Sequence, residues 1–420
     1  MDKQDFNEGL LGFLDASVTP FHATQNMSAM FENAGFSRLE ETDRWSLEEG
    51  KKYYVTRNDS SIIAFTYPKT SKNYVMVGAH TDSPNLKLKP NPVIKEHGVV
   101  KLGVETYGGL LLTPWFDRDL SLAGRISYLD VDDVLKSTLI DVKNPIATIP
   151  SLAIHLDDKA NKDKTINKQT DISPVLTTND DFELDDFLRW QLDKIGVSNP
   201  KEIYASELSF YDTQKASHIG LRDDFIASAR LDNLLSCYVG MLSICSVDES
   251  KPMLFIASDH EEVGSDSTSG AGGSFLENTL RRMFEDYDEY INMVRSSIMI
   301  SADNAHAIHP NFPSKHEPKH TPKINGGVVI KINANQRYAS NSTTISKFLN
   351  SAKFMDEKTQ NFVTRTDMGC GSTIGPITAT RIGIDTIDVG LPTLGMHSIR
   401  ELAGSDDAHS LYKILVGFKN

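Results

Sequence analysis

Four short apolar runs in this chain stop on, or just before, residues that carry a charge or an imidazole. Tyr74-Val-Met-Val-Gly-Ala leads into His80-Thr-Asp82, and Met253-Leu-Phe-Ile-Ala-Ser into Asp259-His-Glu261-Glu262. Ser297-Ile-Met-Ile-Ser-Ala leads into Asp303, and Thr386-Ile-Asp-Val-Gly390 precedes Gly395-Met-His397. A further carboxylate, in Arg230-Leu-Asp232-Asn233, opens a helix-like stretch. Buried strands of a parallel sheet read as continuous apolar runs, and open α/β sheets build their sites beyond the carboxyl ends of those strands. A purely structural reading leaves so many charges against buried strands unexplained, because an unpaired buried carboxylate is costly.

Glu261 and Glu262 are adjacent, so their side chains diverge and cannot share one role. One can hold a metal while its neighbour takes a proton from water that the metal has acidified. Five residues, His80, Asp232, Glu262, Asp303 and His397, suffice as ligands for two metals if one carboxylate bridges them. Each alone reads equally well as a helix cap or a surface polar group, and the Glu pair as the first turn of a solvated helix. Their succession after one apolar run and another is what gives the set its weight.

The segments Gly78-Ala-His-Thr-Asp-Ser-Pro84, Arg230-Leu-Asp-Asn233, Asp259-His-Glu-Glu-Val-Gly-Ser265, Gln336-Arg-Tyr-Ala-Ser340, Thr373-Ile-Gly-Pro376 and Met396-His-Ser-Ile-Arg400 resemble those of the aspartyl aminopeptidase family of dinuclear zinc metallopeptidases. The resemblance runs in order from Pro20-Phe-His-Ala23 to Arg400. It implies two Zn²⁺ per subunit, with Mn²⁺ or Co²⁺ as substitutes. His80 and Asp303 would hold one ion, Glu262 and His397 the other, and Asp232 would bridge them. Asp82 would accept the second imidazole N–H of His80, and Glu261 would be the general base for attack by a metal-activated hydroxide on the first peptide bond. His155, in Ser151-Leu-Ala-Ile-His-Leu156, matches a histidine that reaches a neighbouring subunit's active site and stabilises the oxyanion; packing or capping of a strand is its structural alternative. Lys331, in Val328-Val-Ile-Lys-Ile-Asn333, matches the position facing the substrate's first side chain, where an ammonium would favour Asp or Glu; a solvated strand lysine is its alternative. Peptides with a free N-terminus are the implied substrates, and dimers assembled into a tetrahedral dodecamer the implied assembly.

At 420 residues the chain exceeds the size at which a single core keeps growing. The expected fold is α/β, a mostly parallel central sheet flanked by helices, with an inserted β-rich domain. Residues 1–89 and 209–420 form the catalytic α/β domain, and residues 90–208 the inserted dimerisation domain, whose short strand-like pieces include Val99-Val-Lys-Leu and Arg125-Ile-Ser-Tyr-Leu. A helical period from Asp5 to Ala34 is broken at Pro20. A formal net charge of −14 argues against nucleic acid and anionic membranes as partners. No stretch approaches the ~18 apolar residues of a membrane span, and the first residues lack a signal peptide's basic start and apolar core. With Cys237, Cys245 and Cys370 unpaired by motif, these features point to a cytoplasmic location. The spacing of eight puts Cys237 and Cys245 on one helix face, and Cys370 lies between two glycines near the site.

The expected activity is removal of an N-terminal Asp or Glu. The alternatives are an aminopeptidase for neutral residues, a related metal-dependent deacylase or carboxypeptidase, or a scaffold held together by metal. The last has no use for a base beside its ligands.

Overall fold

The computed structural model describes residues 1–69, 73–284 and 286–419. By its internal contacts the chain forms two units, one of residues 1–82, 216–396 and 401–420, the other of residues 83–215 and 397–400. The first unit contains a nine-stranded sheet among the described residues. Its strands are β1 (Ser37–Leu39), β2 (Lys51–Arg57), β3 (Ser61–Tyr67), β4 (Val75–His80), β5 (Met253–Ser258), β6 (Ile298–Ala302), β7 (Val328–Ile332), β8 (Thr359–Val363) and β9 (Asp385–Gly390). They lie in the order β1-β2-β3-β5-β4-β6-β9-β7-β8. The central run β5-β4-β6-β9 is parallel throughout, and antiparallel pairs occur at β2-β3, β3-β5 and β9-β7.

The apolar runs are continuous because both faces of this sheet are covered. On β4, Val75, Val77 and Ala79 enter one core while Tyr74 and Met76 flank the other. On β5, Met253, Phe255 and Ala257 join the first core, and Leu254 and Ile256 the second. The first core includes Phe6, Leu10 and Leu14 of the helix Lys3–Ala16, which recur at helical spacing. Pro20 does not break a helix interior but occupies the first turn of a second one, Pro20–Asn33, where its missing N–H costs nothing. The other core takes Leu280 of the helix Phe275–Met283 and Met293 and Val294 of Tyr287–Ser296.

The second unit holds a six-stranded antiparallel sheet running from Asn85 to Asp212, so its limits fall a few residues outside 90 and 208. It also contains a helix, Leu184–Lys194, that buries Leu188 and Leu192 and that the strand-like texture of this region concealed. No helix among the described residues is long and apolar enough to cross a membrane.

The helix Leu231–Ser246 lies close against the central strands. A Cβ added at Gly240 would sit 2.5 Å from the buried Phe255 ring and 3.2 Å from Val77. Gly240→Ala is therefore expected to destabilise the protein by about 1–3 kcal/mol, the usual cost of overpacking, despite alanine's better helix propensity. Thermal unfolding checks this, and an unchanged or raised midpoint would contradict the close approach.

Candidate metal centre

The register of the central strands brings the expected residues to one edge. Ser258 of β5 pairs with His80 of β4, and Ser301 of β6 pairs with Gly78. Two steps on, Asp303 comes level with His80, and in parallel strands residues at one level share a face. The Asp303 amide donates to the Val389 carbonyl at 3.0 Å, which carries the alignment across to β9.

His80 is buried, and its two ring nitrogens face different surroundings. Nδ1 lies 3.0 Å from the backbone carbonyl of Asp82 and 3.4 Å from its carboxylate. Donation to that carbonyl leaves Nε2 free to ligate. Nε2 is 3.4 Å from Asp232 Oδ1, 3.6 Å from Asp303 Oδ1 and 3.9 Å from Glu261 Oε2. Burial alone would push the imidazole's pKa down, but hydrogen bonding to Asp232, Asp303 and Asp82 carries it well above the usual range.

Glu261 and Glu262 are not on the strand but on a one-turn 3₁₀ helix, Glu261–Val263, entered through His260 at φ 62°. The carboxylate of Asp82 holds this turn in place. Its Oδ1 accepts the Glu261 amide and its Oδ2 the Glu262 amide, each at 3.1 Å. Asp82 thus orients His80 chiefly through its main chain and uses its side chain on the glutamate pair. Burial, followed by repulsion from Asp303, Glu262 and Asp232 against the attraction of His80, pushes Glu261 up to about 8.

Asp232 sits at a bend, with its own φ/ψ and those of Asn233 outside the helical region, before the helix continues from Leu234. The buried Glu401 accepts the Asp232 amide at 2.9 Å, and Asn233 donates to the Ala302 carbonyl at 2.8 Å. Beneath the site, the Cys237 thiol donates to the His80 carbonyl at 3.0 Å. Burial pushes that thiol up to about 12, so it stays protonated and keeps the bond.

Lys331 is not solvated. It is almost fully buried on β7, and its Nζ is 3.3 Å from Asp303 Oδ2 and 3.1 Å from the Asn304 carbonyl. Burial would raise the Asp303 carboxyl, but Lys331 and His80 hold it well below the usual range. Nζ also lies 5.1 Å from the Tyr338 ring centroid. Tyr338, His306, Phe362 and Cys370 line a cavity of about 220 Å³.

Two expected residues lie in the second unit. His397, at φ 66°, has Nδ1 2.9 Å from the Gly109 carbonyl. His155 is exposed in a turn beside the exposed Leu152, Ile154 and Leu156, so it does not pack or cap a strand. Of the contacts described, those of Glu401, Cys237 and the Asp82 carboxylate went unread in the sequence, where nothing distinguishes a buried acid or thiol from an exposed one.

The donor set suits a divalent cation. Atoms of His80, Asp232 and Asp303, and of His80, Glu261 and Glu262, lie within 4.8 Å of one another. Imidazole with several carboxylate oxygens is a zinc-type environment that also tolerates manganese or cobalt. Four carboxylates around one imidazole and one ammonium leave an excess of negative charge that such an ion would offset.

Comparison with known proteins agrees with this chemistry. The family described as Aminopeptidase I zinc metalloprotease (M18) matches residues 13–419. The chain is 51% identical to a probable M18 family aminopeptidase 2 of Pseudomonas syringae pv. tomato, over 99% of this chain and 98% of that protein. Its fold is similar to that in the cryo-EM structure of the Ape4 and Nbr1 complex, with a TM-score of 0.95, 37% identity, and coverage of 99% and 85% of the two chains. It is also similar to the S. cerevisiae mApe1 dodecamer, with a TM-score of 0.84, 26% identity, and coverage of 99% and 96%. The chain belongs to the M18 family of zinc metallo-aminopeptidases.

Proposed function

We propose that this aminopeptidase releases N-terminal Asp or Glu from peptides, with Glu261 as the general base and two zinc ions per subunit. The observation that carries the reading is the position of Glu261. Its carboxylate lies 3.9 Å from Nε2 of His80, which Asp232 and Asp303 also approach, and it shares with its neighbour Glu262 a donor group around His80. In this reading His80 and Asp303 would hold one ion and Glu262 the other, with Asp232 available to both and His397 assigned by its motif alone. Bound zinc lowers the pKa of water toward ~7 and polarises the scissile carbonyl.

The protein's own groups do the rest. Glu261 takes the proton of the attacking water and returns it to the departing amine. Asp82 fixes the angle between Glu261 and Glu262 by gripping their successive amides. Lys331, beside the Tyr338 wall of the cavity, supplies the positive charge that a first-residue carboxylate would meet, and the cavity takes the side chain itself. An exposed His155 flanked by three exposed apolar residues suits a segment that completes the site of a neighbouring subunit, and one structural relative is a dodecamer. A reduced cytoplasmic setting fits the three free thiols.

Glu261→Gln is expected to keep zinc and assembly but lose at least ~100-fold in turnover, the usual share of a general base. Comparable turnover would remove Glu261 from the chemistry. Asp82→Asn places an N–H against one of two backbone amides, and zinc affinity should fall by roughly 10–100-fold, measured by competition with a chelator. Unchanged affinity would leave Asp82 without its organising role. Lys331→Ala should reduce the ratio of Asp to Leu release by about tenfold, one charge-assisted contact. A ratio equal to that of the parent protein would confine Lys331 to holding Asp303. The function itself is tested by offering Asp, Glu, Leu and Lys peptides with free and acetylated N-termini, with and without chelator. Metal-dependent release from free Asp and Glu peptides is the expected result, and fastest release of Leu would overturn the acidic preference.

A further inference from the structure

Asp388 is fully buried on β9 and takes no part in the metal centre. A buried carboxylate is costly unless its lone pairs are satisfied, so its partners indicate what it is retained for. Oδ1 accepts the Thr373 hydroxyl at 2.6 Å, and Oδ2 accepts the Ala339 amide at 2.6 Å. The Asp388 amide donates to Ser340 Oγ at 2.9 Å. Thr373 caps the helix Ile374–Ile382, accepting the Gly375 amide at 3.3 Å. A Cβ at Gly375 would lie 2.3 Å from Asp388 Oδ1, so the carboxylate presses directly on the first turn of that helix.

The two segments gripped in this way, residues 336–340 and 369–375, have little regular structure of their own before the helix. They are also tied to each other: Arg337 Nε donates to the Cys370 carbonyl at 3.2 Å, and Ser372 Oγ to the Arg337 carbonyl at 3.4 Å. From them come Tyr338, Gly369, Cys370 and Gly371, which form one side of the 220 Å³ cavity. Lys331 adjoins the same place, because Ile330 pairs with Val389 and one further step sets Lys331 opposite Asp388. Burial raises the Asp388 pKa, and Lys331 is the chief influence against that rise.

We infer that Asp388 is a positioning residue for substrate selection: its carboxylate clamps the loop bearing Tyr338 to the helix cap at Thr373 and so fixes the wall of the cavity that receives the first side chain. This rests on the proposed reading of that cavity. Asp388 touches neither substrate nor metal ligand in this role, and acts through Tyr338 and the 369–371 segment.

The test uses the full-length zinc enzyme and three variants. Asp388→Asn keeps the volume and removes the charge. Asp388→Ala removes both acceptors. Thr373→Val removes one donor and leaves the carboxylate, which covers the case in which the Asp388 variants do not fold. Two readouts are taken: kcat, KM and zinc content with free N-terminal Asp and Leu peptides, and the rate of Cys370 alkylation by N-ethylmaleimide in a Cys245→Ser background. Cys237 is fully buried and stays silent. In Asp388→Ala, zinc content should match the parent protein, KM for the Asp peptide should rise roughly tenfold with a much smaller change in kcat, and Cys370 should react at least about threefold faster as its wall loosens. Asp388→Asn and Thr373→Val should show the same changes to a smaller extent. Unchanged KM or unchanged alkylation overturns the inference. So does a fall in kcat that follows zinc loss, since Asp388 would then serve the metal centre. If the parent protein cleaves no free N-terminal peptide, the reading of the cavity fails, while the alkylation rate still decides whether Asp388 holds the wall.

Discussion

One imidazole set among four carboxylates at the edge of a buried sheet is the constraint on which this structure turns. Burial is the chief cause of the upward shift of Glu261, repulsion from Asp303, Glu262 and Asp232 adds to it, and a few fixed contacts moderate the crowding of charge. His80 is shared between Asp232 and Asp303, and Lys331 lies against the far oxygen of Asp303. Breaking such a buried arrangement by removing one partner costs more than its formation contributes, because the remaining charge is left uncompensated. A divalent cation held among these residues would stabilise this edge, since an ion that binds the folded chain alone draws the equilibrium toward it.

Much of this edge was legible in the sequence because sheet and site share a cause. A strand covered on both faces must be apolar at every position, so it stands out as a run, and the first polar residue after it marks the end of the sheet. His80 and Asp303 stand where that rule puts them, and the Glu261–Glu262 pair comes three residues past the end of β5. The turn that carries the glutamates was not legible, since it depends on His260 adopting a left-handed conformation and on Asp82 gripping two amides about 180 residues away in sequence. Lys331 shows the same limit: a lysine in a strand is ordinarily solvated, and only the tertiary position of Asp303 and Asn304 reveals a buried partner. The helix Leu184–Lys194 was hidden for a different reason, because it is short and buries only Leu188, Gln191 and Leu192 amid charged neighbours.

The cluster around His80 and the 220 Å³ cavity are built differently. His80 and Asp303 follow strand ends, where hydrogen-bonded registers leave little freedom. The cavity wall comes from segments between elements, and such segments are where specificity varies most readily on a rigid scaffold. They need an anchor in the sheet to hold a defined shape, and Asp388 supplies one from β9 while Arg337 and Ser372 stitch the segments to each other.

The spacing of His80 and Asp303 follows from strand register. Ser258, His80 and Asp303 reach one level because Ser258 pairs with His80 and Ser301 with Gly78. A slip of one residue in either pairing would turn a ligand to the opposite face. Register here is fixed by the two cores, since Val75, Val77 and Ala79 must meet one set of helices while Met76 meets the other. The alternation of buried side chains along β4 and β6 therefore sets the distance from the His80 nitrogen to Asp303, while those to Asp232 and Glu261 depend on the bent helix start and on the 3₁₀ turn. Among the helices that pack against those faces, Leu231–Ser246 carries Asp232 into the cluster at its bent first turn, whereas Phe275–Met283 and Tyr287–Ser296 carry none of its residues.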